Sequence, residues 1–413
     1  MCAEVTHAQR GLRGESAVLQ HTEEKAATVG GRWLVGAAGV LAGATAMVDT
    51  ALAEETPAPK AVEFSVSYTA DVIGAVNGGV TQRGRFVDNL DLIADIDLDR
   101  AAGWRGATLH IDVLNNSGGA PNDDVGTLQG VDNIEVTRQR LRLFEAWLEQ
   151  EWGEASLRVG LYDLNSEFYS NDAAGLLMAP AFGIGSEIAA TGPNGPSIFP
   201  STALAVRFQR GFDNDAYVRA AALNANAGVL GDPDGVDWSF DNGALLIAEA
   251  GVEGARKVAA GVWRYTERQD DIRDPEQERA QGAYVLFEQP LNDPDGARAT
   301  TAFLRAGVSD GETTPFESGW QAGVLVERVF AGRPESVFSI GVNQGVISDG
   351  HRRNEIDAGV PMAKAEFQIE ATYADEIAPH VTLQPDVQWV HNPGGDRSAS
   401  DALILGLRLS IEL

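Results

Sequence analysis

The chain has 413 residues, of which 44% are hydrophobic and 46 are glycine, and it carries a formal net charge of −29. That length is compatible with two or three globular domains or with one large barrel, while the acidity argues against a nucleic acid or an anionic lipid face as partner. The only cysteine is Cys2, so neither a disulfide framework nor a cysteine-ligated metal site is expected in the mature chain.

From the N-terminus, residues 1–31 are polar and mixed in charge. Arg32 then precedes an apolar stretch from Trp33 to Val48 (WLVGAAGVLAGATAMV) and the small-residue pattern Ala51-Leu52-Ala53 before Glu54. This is the layout of a secretory signal peptide, with cleavage after Ala53. A membrane anchor is the competing reading, but a span needs about 20 predominantly apolar residues and this stretch is short and rich in Gly and Ala. We therefore divide the chain into a leader, 1–53, whose true start lies near Arg32, and an exported part, 54–413. The leader holds five acids and four bases, leaving 55 acids against 27 bases and a net charge of −28 on the exported part.

Beyond Glu54 the apolar residues alternate. The sequence predicts strands near 63–73, 85–98, 104–114, 139–151, 156–163, 202–210, 216–225, 243–252, 257–267, 280–289, 299–308, 319–329, 336–347, 363–374, 380–390 and 403–412. The last is the clearest, with Leu403, Leu405, Leu407, Leu409 and Ile411 on one face and Gly406, Arg408, Ser410 and Glu412 on the other. A period of two suits a soluble sandwich as well as a membrane barrel. The order of the connections separates them, because tight turns such as Gly153-Glu154 alternate with long polar loops such as Asn115 to Glu135 along the whole chain. An even strand count with that alternation predicts an all-β, sixteen-stranded antiparallel transmembrane barrel, with short periplasmic turns and long external loops. Sixteen strands leave a lumen wide enough for water. Tyr68, Trp104, Trp152, Phe287, Trp320, Tyr373 and Trp389 fall towards strand ends, as interfacial girdles require.

Catalytic signatures such as Gly-x-Ser-x-Gly or His-Glu-x-x-His are absent from the sequence, so neither an enzyme nor a cofactor is expected. The densest polar signal runs from Asn133 to Phe168. Arg138, Arg140 and Arg142 alternate with Leu141 and Leu143, whereas Glu145, Trp147 and Glu149 sit in the other phase, which predicts a bulge near Phe144. The next strand offers Arg158 and Tyr162 and ends in Asp163, Asn165 and Glu167. The long loop from Asn165 to Ser201, third of the long ones, holds Leu176, Leu177, Met178, Phe182 and Ile184; such apolar content predicts that it folds into the barrel and narrows the pore. Closely spaced charged and amide groups beside an aromatic ring suit a polyhydroxylated solute such as a sugar.

RLFEAWLEQ (Arg142 to Gln150), VGLYDLNSEF (Val159 to Phe168) and IFPSTALAVRF (Ile198 to Phe208) resemble the carbohydrate-selective porins of Gram-negative outer membranes. The resemblance is most specific near the C-terminus, where Glu366, Glu370, Tyr373, Pro385, Asp386, Gln388, Asn392, Pro393 and Gly394 recur at the family's spacing. It implies a sixteen-stranded channel for passive diffusion of small sugars, with Glu366, Asp386, Gln388 and Arg408 joining the Arg138 to Glu167 group along the path. It also implies outer-membrane lipid and the barrel-assembly machinery as partners, in a monomer or homotrimer. The chain departs from the common Phe or Trp terminus by ending in Leu413. A general or cation-preferring porin and a structural barrel with a closed lumen are the competing functions.

Overall fold

A computed structural model describes residues 60–137, 139–229 and 235–413; the leader and Arg138 lie outside them. Sixteen strands form one closed antiparallel barrel: β1 (Val62–Asn77), β2 (Arg85–Asp97), β3 (Ala107–Gly118), β4 (Arg140–Trp152), β5 (Ala155–Tyr162), β6 (Ala203–Gly211), β7 (Ala216–Asn224), β8 (Ala244–Glu253), β9 (Lys257–Tyr265), β10 (Gln281–Pro290), β11 (Ala299–Ser309), β12 (Phe316–Glu327), β13 (Val337–Ile347), β14 (Ala365–Ala378), β15 (Val381–His391) and β16 (Ala402–Glu412). The expected strands are all present. β1 and β3 run further than alternation alone indicated, because Asn77 still pairs with Leu403 and Gly118 with Val87. A helix, Asp349–Asp357, capped by the Ser348 hydroxyl, occupies a connection read as plain loop.

β1 closes the barrel on β16, with Asp71 directly opposite Arg408. Val66 and Leu413 exchange both backbone hydrogen bonds at 2.9 Å, so the last residue is built into the seam. Along β16, Leu405 and Leu407 are 50% and 44% exposed while Arg408 is 2% exposed. The exposed leucines form part of a wide apolar outer surface, stable only in an apolar solvent.

Two long connections enter the lumen. From the one between β5 and β6, Leu177, Met178, Phe182, Ile184 and Ile188 are buried. The wall facing them is made shallow by glycine: a Cβ at Gly307 would stand 1.9 Å from Glu187 Oε1, and one at Gly341 would stand 2.6 Å from Leu177 and Phe182. The apolar loop thus packs against wall residues of β11 and β13. The connection between β3 and β4 packs on the other side through Val125 and Val131, against Ile73 and Ile404.

That second connection is latched at its mouth. Asp124 accepts hydrogen bonds from Arg83 Nη2 at 2.8 Å and Arg83 Nε at 3.0 Å, and from Arg85. Its main-chain oxygen accepts from the amides of Val80 and Thr81. Hydrogen bonds from Arg83, then from Arg85, hold the Asp124 carboxyl well below the usual range. A depressed folded value means the latch contributes fully above the unfolded value of about 3.9 and is lost as pH falls below it. Protection of the Val80 and Thr81 amides, the slowing of their exchange relative to the intrinsic rate of an unstructured chain at the same pH, should therefore be high at pH 6 and fall under strong acid. Asp124→Asn should show low protection at both; protection unchanged by that substitution would remove the latch.

Candidate functional site

The inner wall from β4 to β9 carries the densest charge, and a bulge aims it. Leu143 pairs with Val113 and Glu145 with Asp112, skipping Phe144. An extra residue reverses the phase of a strand, so Arg140 and Arg142 before the bulge and Glu145, Trp147 and Glu149 after it all face inward. Phe144 itself is buried edge-on against Phe199 of the inward loop, with centroids 5.9 Å apart.

Trp147 is held between neighbouring strands. His110 of β3 stacks on it at 4.7 Å and 12°, and the Arg158 guanidinium of β5 lies 3.7 Å from its ring centroid. These partners come from opposite sides of β4, so both ring faces are covered, and the indole N–H donates to Glu145 at 3.2 Å. The ring therefore positions Arg158 rather than offering itself as a stacking platform, the role its residue type suggested.

Arg158 and Arg207 are direct cross-strand partners between β5 and β6, an arrangement that repels unless carboxylates bridge it. Two do. Glu149 lies 2.6 Å from Arg158 Nη2 and 2.9 Å from Arg207 Nη2, and Glu167 lies 2.8 Å from Arg207 and 3.7 Å from Arg158. Tyr162 donates to Glu167, and Arg219 donates to its main-chain oxygen. The belt continues through Arg219 to Glu253 at 3.5 Å and Lys257 to Glu253 at 3.0 Å. Its water-facing members are Arg158 and Glu149, each 12% exposed, Glu167 and Glu253; Arg207 is the buried hub.

The remaining predicted residues are placed elsewhere. Arg142 donates to Pro200 O at 3.0 Å and Ser201 Oγ at 3.2 Å, fastening the exit of the inward loop. Asp163 caps a short turn by accepting from the Asn165 N–H, and Asn165 donates to Phe168 O and Gly183 O within the same loop. Across the lumen, Glu366 accepts from Thr127 Oγ1 and from the amides of Leu128, Gln129 and Gly394 at 2.7–2.9 Å. Gln388 donates to Val131 O and to Asp386 Oδ1, and Arg408 binds Asp71 and Asn133. These four are buried on the inner side, but Glu366, Gln388 and Arg408 hold the β3–β4 connection, Asp386 bonds to Gln388, and none is gathered with Arg158. Arg207, Arg219 and Lys257 were missed as site residues; the signal was a single cation on the inward phase of an otherwise apolar strand.

His110, Asp112 and Glu145 bring ligand-type atoms within 4.8 Å of one another. His110 Nδ1, however, already faces Asp95 at 2.6 Å, and Glu145 accepts from Trp147 and from the Asp163 N–H.

A closed sixteen-stranded barrel with a charged inner wall and an inward loop is the architecture of a channel. The family model described as carbohydrate-selective porin, OprB family, matches residues 81–413. The chain belongs to this family. It is an outer-membrane porin for carbohydrates, a channel rather than an enzyme. Among relatives of this porin, Porin B of Pseudomonas aeruginosa is 23% identical over 399 residues, covering 85% of this chain and 87% of that protein. The putative porin QuiX of Acinetobacter baylyi is 21% identical over 392 residues, covering 84% and 88%. The high-pH structure of Pseudomonas putida OprB superposes with a TM-score of 0.77 at 20% identity, covering 86% of this chain and 94% of that one, and so shares the fold.

Proposed function

We propose that sugars pass along the inner wall of β4–β8, where Arg158, Glu149, Glu167 and Glu253 face water, and that the inward loop between β5 and β6 sets the narrowest section. The observation that carries this reading is the Arg158–Arg207 pair bridged by Glu149 and Glu167, in which Arg207 is buried while Arg158, Glu149 and Glu167 stay partly exposed. Paired cations and carboxylates along one wall of an aqueous path present hydrogen-bond donors and acceptors side by side, which suits a neutral polyhydroxylated solute. Arg140, at the start of β4, would form the approach. The same reading takes the long connections as external, the tight turns and both chain termini of the barrel as periplasmic, and residues 1–53 as a leader removed before the assembly machinery inserts the chain, as monomer or homotrimer.

Arg158→Ala in planar bilayers should raise ionic conductance and weaken block of the current by glucose about tenfold, the equivalent of one charge-assisted hydrogen bond. Parental block in that variant would move the sugar path elsewhere. A cation preference is the second reading, favoured by Asp95 and Glu253, whose side chains are 49% and 42% exposed. Neutralising Asp95, which lies outside the sugar path proposed above, should shift the reversal potential in a salt gradient without altering glucose block; a loss of block instead would merge the two paths.

A further inference from the structure

The outer face of the barrel carries a groove of about 900 Å3 crossing β6 to β11. Its floor is built from Ala220, Ala222, Ala248 and Ala283, and bulkier Val206, Phe208, Leu246 and Val262 stand along it. At the end nearest the long connections lies Arg264, directed outward by the alternation of β9 and exposed. No carboxylate among the described residues pairs with it, although the chain is strongly acidic overall. Asp310 at the same end is already engaged by the Gln281, Glu312 and Thr313 amides. An exposed arginine on the lipid-facing surface sits at a cost unless it reaches an anion at the membrane boundary.

We propose that this groove seats an acyl chain of the phosphorylated glycolipid of the outer leaflet, lipid A, with the Arg264 guanidinium holding one of its phosphates. The alanine methyls form a low floor between the larger Val206, Phe208, Leu246 and Val262 side chains, along which a hydrocarbon chain would lie. The guanidinium fork matches phosphate oxygens in a bidentate manner. The length of the groove and the charge at one end together select a lipid whose headgroup is anionic and lies at the level of the long connections. The inference rests on the reading that those connections are external.

The test is native mass spectrometry of the full-length mature porin in neutral detergent, with purified lipid A, dephosphorylated lipid A and phosphatidylglycerol added separately. The expected result is a retained one-to-one adduct with lipid A only. Arg264→Ala should weaken it about tenfold, and Ala248→Phe, which fills the groove from the lipid side, should abolish it while single-channel conductance stays parental. Equal retention of dephosphorylated lipid A, a preference for phosphatidylglycerol, or an adduct unaffected by both substitutions would overturn the proposal. Asp274→Cys, in the exposed β9–β10 connection, separates the underlying reading: labelling by an impermeant maleimide on intact cells places the long connections outside, whatever the lipid result, and absence of labelling overturns both.

Discussion

Replacing Arg305 with alanine should release the inward loop, raising single-channel conductance and abolishing most of the sugar block. Arg305 on β11 is fully buried. Its Nη1 donates to Gly183 O at 2.8 Å and Tyr169 O at 3.2 Å, its Nη2 to Ala181 O at 2.7 Å, and its Nε to Gln321 Oε1 at 2.9 Å. One side chain thus supplies donors to three loop carbonyls; Gly183 O keeps a second donor in Asn165 Nδ2 at 3.3 Å, so the carbonyls of Tyr169 and Ala181 bear most of the loss. Each carbonyl left unpaired costs about 1–3 kcal/mol, so the loss outweighs what is regained by no longer burying a guanidinium without a carboxylate beside it. On the far side the loop is held by Glu370, which accepts from the Met178 and Ala179 amides, and by Gln384 donating to Leu176 O. The loop should therefore swing from those contacts rather than unfold with the barrel. Arg305→Met, which keeps the volume but not the donors, should behave like alanine, and Arg305→Lys should fall between. Bilayer conductance and electrophoretic heat-modifiability, read together, distinguish a freed loop from an unfolded barrel. Parental conductance in both Ala and Met variants would mean that the loop does not narrow the path.

The second expected result concerns neighbours on β16 that fail for opposite reasons. Leu407 points at lipid, and arginine there should cost about 2–4 kcal/mol at mid-bilayer depth. Arg408, one residue on, points into the lumen, where polar substitution would be harmless if the lumen were open water at that level. It is not: Arg408 Nε and Nη2 meet Asp71 at 2.9 and 2.6 Å, Nη2 also donates to Asn133 at 2.6 Å, and Asp71 is fully buried. Arg408→Ala leaves that carboxylate buried and unpaired at the seam where the barrel closes, at a cost of about 3–5 kcal/mol. Removing both charges in Asp71→Asn/Arg408→Ala should restore most of the stability, since the penalty lies in the orphaned charge rather than in the lost pair. Urea-dependent folding into lipid vesicles would measure all four proteins. Additive losses in the double variant would show that the two side chains do not act as a pair.

The period of two was enough to place the strands, their number and the face each residue presents, because a membrane barrel admits only one arrangement of apolar and polar residues on a strand. The bulge at Phe144 was legible for the same reason, as a change of phase between Arg142 and Glu145, and the burial of Leu177, Met178 and Phe182 in the β5–β6 connection follows from their having no stable place in water. What alternation cannot encode is what fills the lumen. Glu366 and Glu149 both read as inward carboxylates, yet one is consumed by loop amides and the other bridges two arginines at the water path. Arg207 is the one cation on the inward phase of β6, as Arg219 is on that of β7, and their partners Glu149, Glu167 and Glu253 come from distant parts of the chain. Only closure of the barrel brings them within hydrogen-bonding reach, and only the packing of two loops against opposite walls decides which inward charges remain wet.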